Sequence, residues 1–475
     1  MQVALPTIRC PGPIDRRTWL KIGGLSLGAL AIGSTPNLAR LLAEERSRRE
    51  LDPDFSVILF WANGGPSHLD LFDLKPEAPI EYRGPFSPIR TNVAGVEISE
   101  MFPNLAKLGD KFSIIRSLHH ERAQHSGGTN RLITGYSSQA ANPPDAEYPQ
   151  IGSVVAKQLE HEVRDLPIFV GNTQFYGGGP AYLGAAYAPY MPHANSTTSA
   201  SGNNRYDPIP IYDPKGESGT LALTEQQARE LRKRHKLLKT FDKFRRELDR
   251  SGKLAAVDKF NQRAVDILAS PRTRDAFDIS QEDERTRRRY GNTHWGRSLL
   301  TCRRLVEAGV RFVQCQATFR LKPETGRTSN WDDHSVNSDI FTAYREKLPS
   351  FDQSVPALIE DLYARGMDKH VLFVFCGEFG RTPKIAFQDK SKRPGRDHWP
   401  RAMSVFVSGG GLKMGQVIGA TNSRAEEPVD RIMNSNCLLA TIYHRFGIDP
   451  SFAFHDNSGR PIPILTDGEP IAELL

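Results

Sequence analysis

The feature that most constrains this chain is a set of short runs in which nearly every residue is apolar, β-branched or aromatic. They are "FSVILFW" (Phe55–Trp61), "FSIIRS" (Phe112–Ser117), "LPIFV" (Leu166–Val170), "VRFVQCQ" (Val310–Gln316), "VLFVFC" (Val371–Cys376) and "MSVFVSG" (Met403–Gly409). A strand with one wet face alternates apolar and polar residues, so a run without alternation predicts a strand covered on both faces. Helical patterns lie between the runs. "IGSVVAKQLE" precedes the third, "LLTCRRLVEAG" the fourth and "SVPALIEDLYARG" the fifth, with Gly366 placed to stop that last helix. Buried strands alternating with helices predict an α/β fold: a doubly wound, mostly parallel sheet with helices on both faces. In such a sheet ligands sit at the carboxyl ends of the strands.

Two stretches interrupt the rhythm. Residues 191–220 are rich in Pro, Gly, Ser and Asn and read as a long loop. Thr224 and Gln227 have capping-box spacing and open a charged helix with Leu231, Leu238, Phe241 and Leu248 on one face. The expectation is a loop and helical insertion over about residues 191–290, within a single domain spanning 44–475. The Lys/Arg density of that helix reads as a solvated outer face, because no aromatic stacking pattern accompanies it.

The N-terminal segment stands apart. Arg16 and Arg17 are followed by Thr18, Trp19, Leu20 and Lys21 and then by an apolar run from Ile22 to Ile32, too short for an ordinary membrane span. This is similar to a twin-arginine export signal, with Ala39 or Ala43 as the last residue removed. Residues 1–43 are therefore expected to direct the chain to the twin-arginine translocase and into the periplasm or beyond, leaving no stable membrane span. Their removal takes five basic and one acidic residue and lowers the formal charge from +7 to +3. So balanced a chain offers no electrostatic case for nucleic acid. Of the five cysteines, Cys10 leaves with the signal; Cys302, Cys315, Cys376 and Cys437 lack metal-binding spacing and read first as buried small apolar residues, with one disulfide as the alternative.

Chemistry-bearing residues gather at the ends of the apolar runs. After the first, Asn63, Gly64 and Gly65 form a tight turn, followed by Asp70 and Asp73, which read as ligands or as caps of a helix or turn. "HHERAQHSGGTNRLITGY" presents His119 and His120, read as ordinary surface histidines, then His125 and Ser126, an imidazole and a hydroxyl suited to ligation or nucleophilic attack. "NWDDHSVN" places Asp332, Asp333 and His334 in one turn, a donor set for Zn²⁺ or Mn²⁺. Glu378 leaves the fifth run between Gly377 and Gly380, and Asp397 and His398 precede the sixth.

Together "NGGPSHLDLFDLKP", "HSGGTNRLITGY", "YLGAAYAP", "RRLVEAGVRFVQC", "WDDH", "GEFGRTP" and "GRDHWP" resemble the secreted bacterial proteins of domain-of-unknown-function family 1501, placed with the alkaline phosphatase and sulfatase superfamily. The resemblance implies one or two divalent metals (Zn, Mn or Ca) flanking a nucleophilic oxygen. The first would take Asp332 or Asp333, His334 and His398; the second would take Glu378 with an oxygen near Asn63 or Asp70. It also implies His125 and Ser126 at the nucleophile position. The chain departs from the pattern there, with neither the Ser/Thr of phosphatases nor the Cys of sulfatases aligned. It departs again at Asn63, where Asp is usual, and at Phe379, where a second ligand is usual. Arg381 could supply positive charge for an anion or pair with Glu378. The implied function is an exported metal-dependent hydrolase of phosphate or sulfate esters, acting on small-molecule or glycan substrates. The alternative is a catalytically inactive anion-binding or scaffold protein that keeps the fold.

Overall fold

A computed structural model describes residues 53–162, 165–172, 175–191, 267, 270–319, 330–336, 338–387 and 392–475. The stretches read above as an export signal (1–43), as a loop (191–220, apart from residue 191) and as a helix opening at Thr224 lie outside the described residues.

The apolar runs form one sheet. Its strands are β1 (Ser56–Trp61), β2 (Ser113–His119), β3 (Phe169–Gly171), β4 (Phe312–Gln316), β5 (Val371–Cys376), β6 (Met403–Gly409), β7 (Gln416–Ile418) and β8 (Met433–Asn434). The order is β7-β2-β6-β5-β1-β4-β3, with β8 also paired to β2. All pairings are parallel except those of β6, which runs antiparallel to both β2 and β5. β1 lies between β5 and β4, with Trp61 opposite Cys376 on one side and Gln316 on the other. The carboxyl ends of the central parallel strands therefore finish at one level.

Both faces are covered, as unbroken apolarity requires. Ile58, Phe60, Phe373 and Phe375 pack with helices α3 (His294–Ala308) and α4 (Ile340–Ala364). Val57, Leu59, Trp61, Leu372 and Val374 face the other way, onto helices α1 (His125–Thr134), α2 (Ile151–Gln158) and α5 (Asn436–Phe446). The helix ends follow local chemistry. Thr293 caps α3 through the Gly296 amide, and Asp339 caps α4 through the Thr342 amide. Gly366, at φ +68°, turns the chain out of α4 where the sequence places the stop. Cys302, Cys315 and Cys376 are buried and unpaired, and the half-buried Cys437 is unpaired as well.

The first face is dominated by aromatic rings around Phe60, which meets Trp295, Phe351, Phe373 and Phe375 at centroid distances of 5.9–6.4 Å. Phe60→Ala should lower the unfolding free energy by about 3–5 kcal/mol through lost burial and the cavity left behind. Ile80→Ala, at a side chain 72% exposed, should change it by less than about 0.5 kcal/mol. Urea denaturation followed by tryptophan fluorescence compares the two.

Candidate metal centre

Three chain segments converge beyond the carboxyl ends of β1 and β5. The β1 strand leaves through Asn63, Gly64 and Gly65, with φ of +106° and +80° at the two glycines. A Cβ on Gly64 would collide with the backbone of Trp331 and Asp332, and one on Gly65 would lie 2.5 Å from the Phe379 carbonyl oxygen. The Trp331 amide donates to Asn63 O (2.8 Å), tying the 330–334 turn to the end of β1. The Gly64 amide donates to Glu378 Oε1 (2.8 Å), tying in the exit of β5. Gly377 and Gly380 are required by crowding: a Cβ on either would strike a carbonyl oxygen, of Ala62 or Ala402 respectively. Neither has the positive φ that a sharp glycine turn would use.

These contacts gather three imidazoles around one carboxylate. Asp332 Oδ1 lies 2.8 Å from His334 Nε2, 3.1 Å from His398 Nε2 and 2.7 Å from Arg381 Nη2, while Oδ2 lies 3.3 Å from His125 Nε2. His334 Nε2 and His398 Nε2 are 2.9 Å apart. The Phe379 ring covers the group on one side, 4.3 Å from the His398 ring and 5.4 Å from that of His125.

The far nitrogen of each ring fixes its tautomer, because a carbonyl or an ionised carboxylate can only accept. His125 Nδ1 donates to Glu378 Oε1 (2.6 Å), His334 Nδ1 to Asp397 Oδ1 (2.7 Å) and His398 Nδ1 to the Ala123 carbonyl (2.7 Å). In the neutral rings all three Nε2 atoms therefore present lone pairs to the lone pairs of Asp332. Such a set is repulsive until protons or a cation enter it. His125, Asp332 and His398 place ligand atoms within 4.8 Å of one another, and His334 Nε2 adjoins them. A ring held through Nδ1 with Nε2 free is the usual form of a metal-ligating histidine, and a carboxylate on Nδ1 raises its basicity. One further oxygen agrees with a cation: Glu378 Oε2 is buried with no hydrogen-bond partner among the described residues.

The electrostatics follow the same contacts. Burial works against the ionised Asp332 carboxylate, but hydrogen bonds from His125, His334 and His398 and then the charge of Arg381 hold it far below the ordinary range. Burial opposes protonation of His125 too, yet its bonds to Asp332 and Glu378 prevail and push it up to about 9. His334 is raised against burial by Asp332 and Asp397, whereas burial lowers His398 despite Asp332.

Not all the residues singled out from the sequence join this group. Asp333 turns away to Lys347 Nζ (2.7 Å) in a fully buried ion pair beneath Trp331, and Lys347 also holds the Asn330 carbonyl (2.6 Å). Asp70 pairs with Arg396 (Oδ2–Nε 2.8 Å) and accepts from Ser67 Oγ (2.5 Å), all buried. Ser126 follows His125 in the first turn of α1 and is half-buried. Arg381 pairs with Asp332, not with Glu378. Reading His120 as a surface histidine fails: it is buried, accepts from the Arg122 amide and donates to the Glu378 carbonyl (2.6 Å), and burial lowers its pKa to about 4. Asp397, singled out beside His398, supports His334 through Nδ1, and Lys347 is a supporting residue that spacing does not identify, since it acts on residues more than a dozen positions away.

The fold and the cluster define a mixed α/β protein with a mostly parallel central sheet and a His/Asp centre at its carboxyl edge. The chain belongs to the family described as "Protein of unknown function (DUF1501)", whose model matches residues 54–475. No curated protein matches it. Among solved structures it is similar to the lipoteichoic acid synthase LtaP from Listeria monocytogenes (10% identity, 87% of this chain and 75% of that one, TM-score 0.33). It is also similar to a sulfatase from Pseudoalteromonas sp. (10%, 86% and 72%, TM-score 0.34). A third is the phosphonate monoester hydrolase of Agrobacterium radiobacter (12%, 88% and 78%, TM-score 0.35).

Asp397→Asn should weaken divalent-metal affinity by about 10–100-fold by loosening His334, with little change in folding, because Asp397 is 42% exposed. Zinc titration against a competing chelator, beside a thermal melt, measures both.

Proposed function

We propose that this protein is an exported, metal-dependent hydrolase of phosphate or sulfate esters, with His125, Asp332, His334 and His398 holding a divalent ion. The observation that carries this reading is the ring of three Nε2 atoms around Asp332, each with its Nδ1 proton committed elsewhere. Three nitrogens and a carboxylate suit Zn²⁺, with Mn²⁺ next; Ca²⁺ prefers six to eight oxygens. When bound, such an ion polarises an ester oxygen and acidifies water.

The chain's own groups account for the rest. Glu378 orients His125 through Nδ1, Asp397 orients His334, and the Ala123 carbonyl orients His398. No side chain caps the N-terminus of α1, where His125 lies; the helix dipole there favours a negatively charged ester group beside the cation. In this reading His125 is a ligand, and Ser126 is the neighbouring hydroxyl assigned to nucleophilic attack. The twin-arginine resemblance of residues 1–43 supports export to the periplasm or beyond. A second reading, an anion-binding or scaffold protein without turnover, is favoured by His125 standing where phosphatases and sulfatases carry a nucleophile.

The purified protein should bind a divalent transition metal and lose thermal stability in chelator. Affinity should rise with pH, because imidazole ligates only when deprotonated. His334→Ala should lower hydrolysis of a phosphate and sulfate ester panel at least ~100-fold, about 2.7 kcal/mol of barrier. Bound metal with no turnover of any panel ester would favour the second reading, and absence of bound metal would refute the first.

A further inference from the structure

We infer that the centre takes one divalent cation and not two, because the buried guanidinium of Arg381 already fills the second cationic position. This rests on the metal reading above and goes beyond it in fixing the number of ions and the role of Arg381.

Arg381 is fully buried. Its Nε donates to Gly65 O (2.9 Å), Nη1 to Arg396 O (2.9 Å), and Nη2 to both Gly64 O and Asp332 Oδ1, the latter at 2.7 Å. Three backbone carbonyls and a carboxylate oxygen make an all-oxygen pocket of acceptors spread over the three guanidinium nitrogens. Here a planar, permanently charged group occupies it. Its bonds to these four protein oxygens, together with burial, withhold it from a substrate anion. Arg381 is thus a positioning residue that fixes Asp332 Oδ1 while balancing part of the local negative charge.

The other donors that a second ion would need are engaged as well. Asp70 is held by Arg396 through both oxygens (2.8 and 3.2 Å) and by Ser67 Oγ. Glu378 Oε1 accepts from the Gly64 amide and from His125 Nδ1. Once the first ion has taken Asp332 and the three imidazoles, Glu378 Oε2 is the one oxygen of the buried carboxylates Asp70, Asp332, Asp333 and Glu378 without a partner among the described residues. A single donor does not hold a dication.

Counting metal in the protein equilibrated with excess Zn²⁺ and then desalted, by plasma mass spectrometry, tests this directly. One ion per chain is expected. Two per chain would overturn the inference while leaving the hydrolase reading intact, and none would overturn the metal reading beneath both. Arg381→Ala should open the oxygen shell and bind one equivalent of Ca²⁺ that the wild type does not take, whereas Arg381→Lys should take none. A folded Arg381→Ala protein that binds no Ca²⁺ at millimolar concentration would overturn the assignment. Should that variant fail to fold, the wild-type count and the lysine variant decide: two Zn²⁺ per chain, or Ca²⁺ bound by Arg381→Lys, would overturn it.

Discussion

The structure depends on one carboxylate. Asp332 is almost wholly buried, and its two oxygens meet three imidazoles and a guanidinium carried by four separate segments of the chain. A buried carboxylate is tolerated only with this degree of compensation. The same pairing that keeps Asp332 ionised also positions every ring that could ligate a cation.

Much of the surrounding architecture serves that position. Lys347, reaching from α4, holds both Asn330 O and Asp333, so the turn carrying Asp332 is anchored on either side of it. Gly64 and Gly65 let the end of β1 lie against that turn and against Phe379, closer than any side chain would permit. His120 grips the Glu378 backbone, and Glu378 in turn grips His125. The support is built largely from buried, hydrogen-bonded polar groups, which is how a constellation of ligands is kept rigid.

Parts of this were legible in the sequence. The unbroken apolarity of "VILFW" and "VLFVFC" required a sheet covered on both faces, and Gly366 marked a helix end, because burial periodicity and φ preference are local properties. His334, Glu378 and His398 could be singled out because acids and histidines cluster there beside glycine turns and apolar runs, and the fold brings all three to one edge of the sheet. Asp70 and Asp333 looked equally suitable, having the same chemistry and the same kind of position. What separates them from Asp332 is a buried cation: Arg396 for the first and Lys347 for the second. Neither partner is near its aspartate in the chain. The same holds for His120, indistinguishable from His119 in "HHER" until the fold places the Glu378 carbonyl against it.

Local sequence alone is enough to make this chain a mostly parallel α/β sheet and to collect its acids and histidines at the ends of the apolar runs. Those outcomes follow from apolar runs, helix stops and glycine turns that act over a few residues. Folding selects which carboxylate stands among the imidazoles, which are neutralised by lysine or arginine, and the ring of oxygens around Arg381. Each of those depends on contacts between residues from 14 to 326 positions apart, and on a buried charge finding the partner that burial makes obligatory.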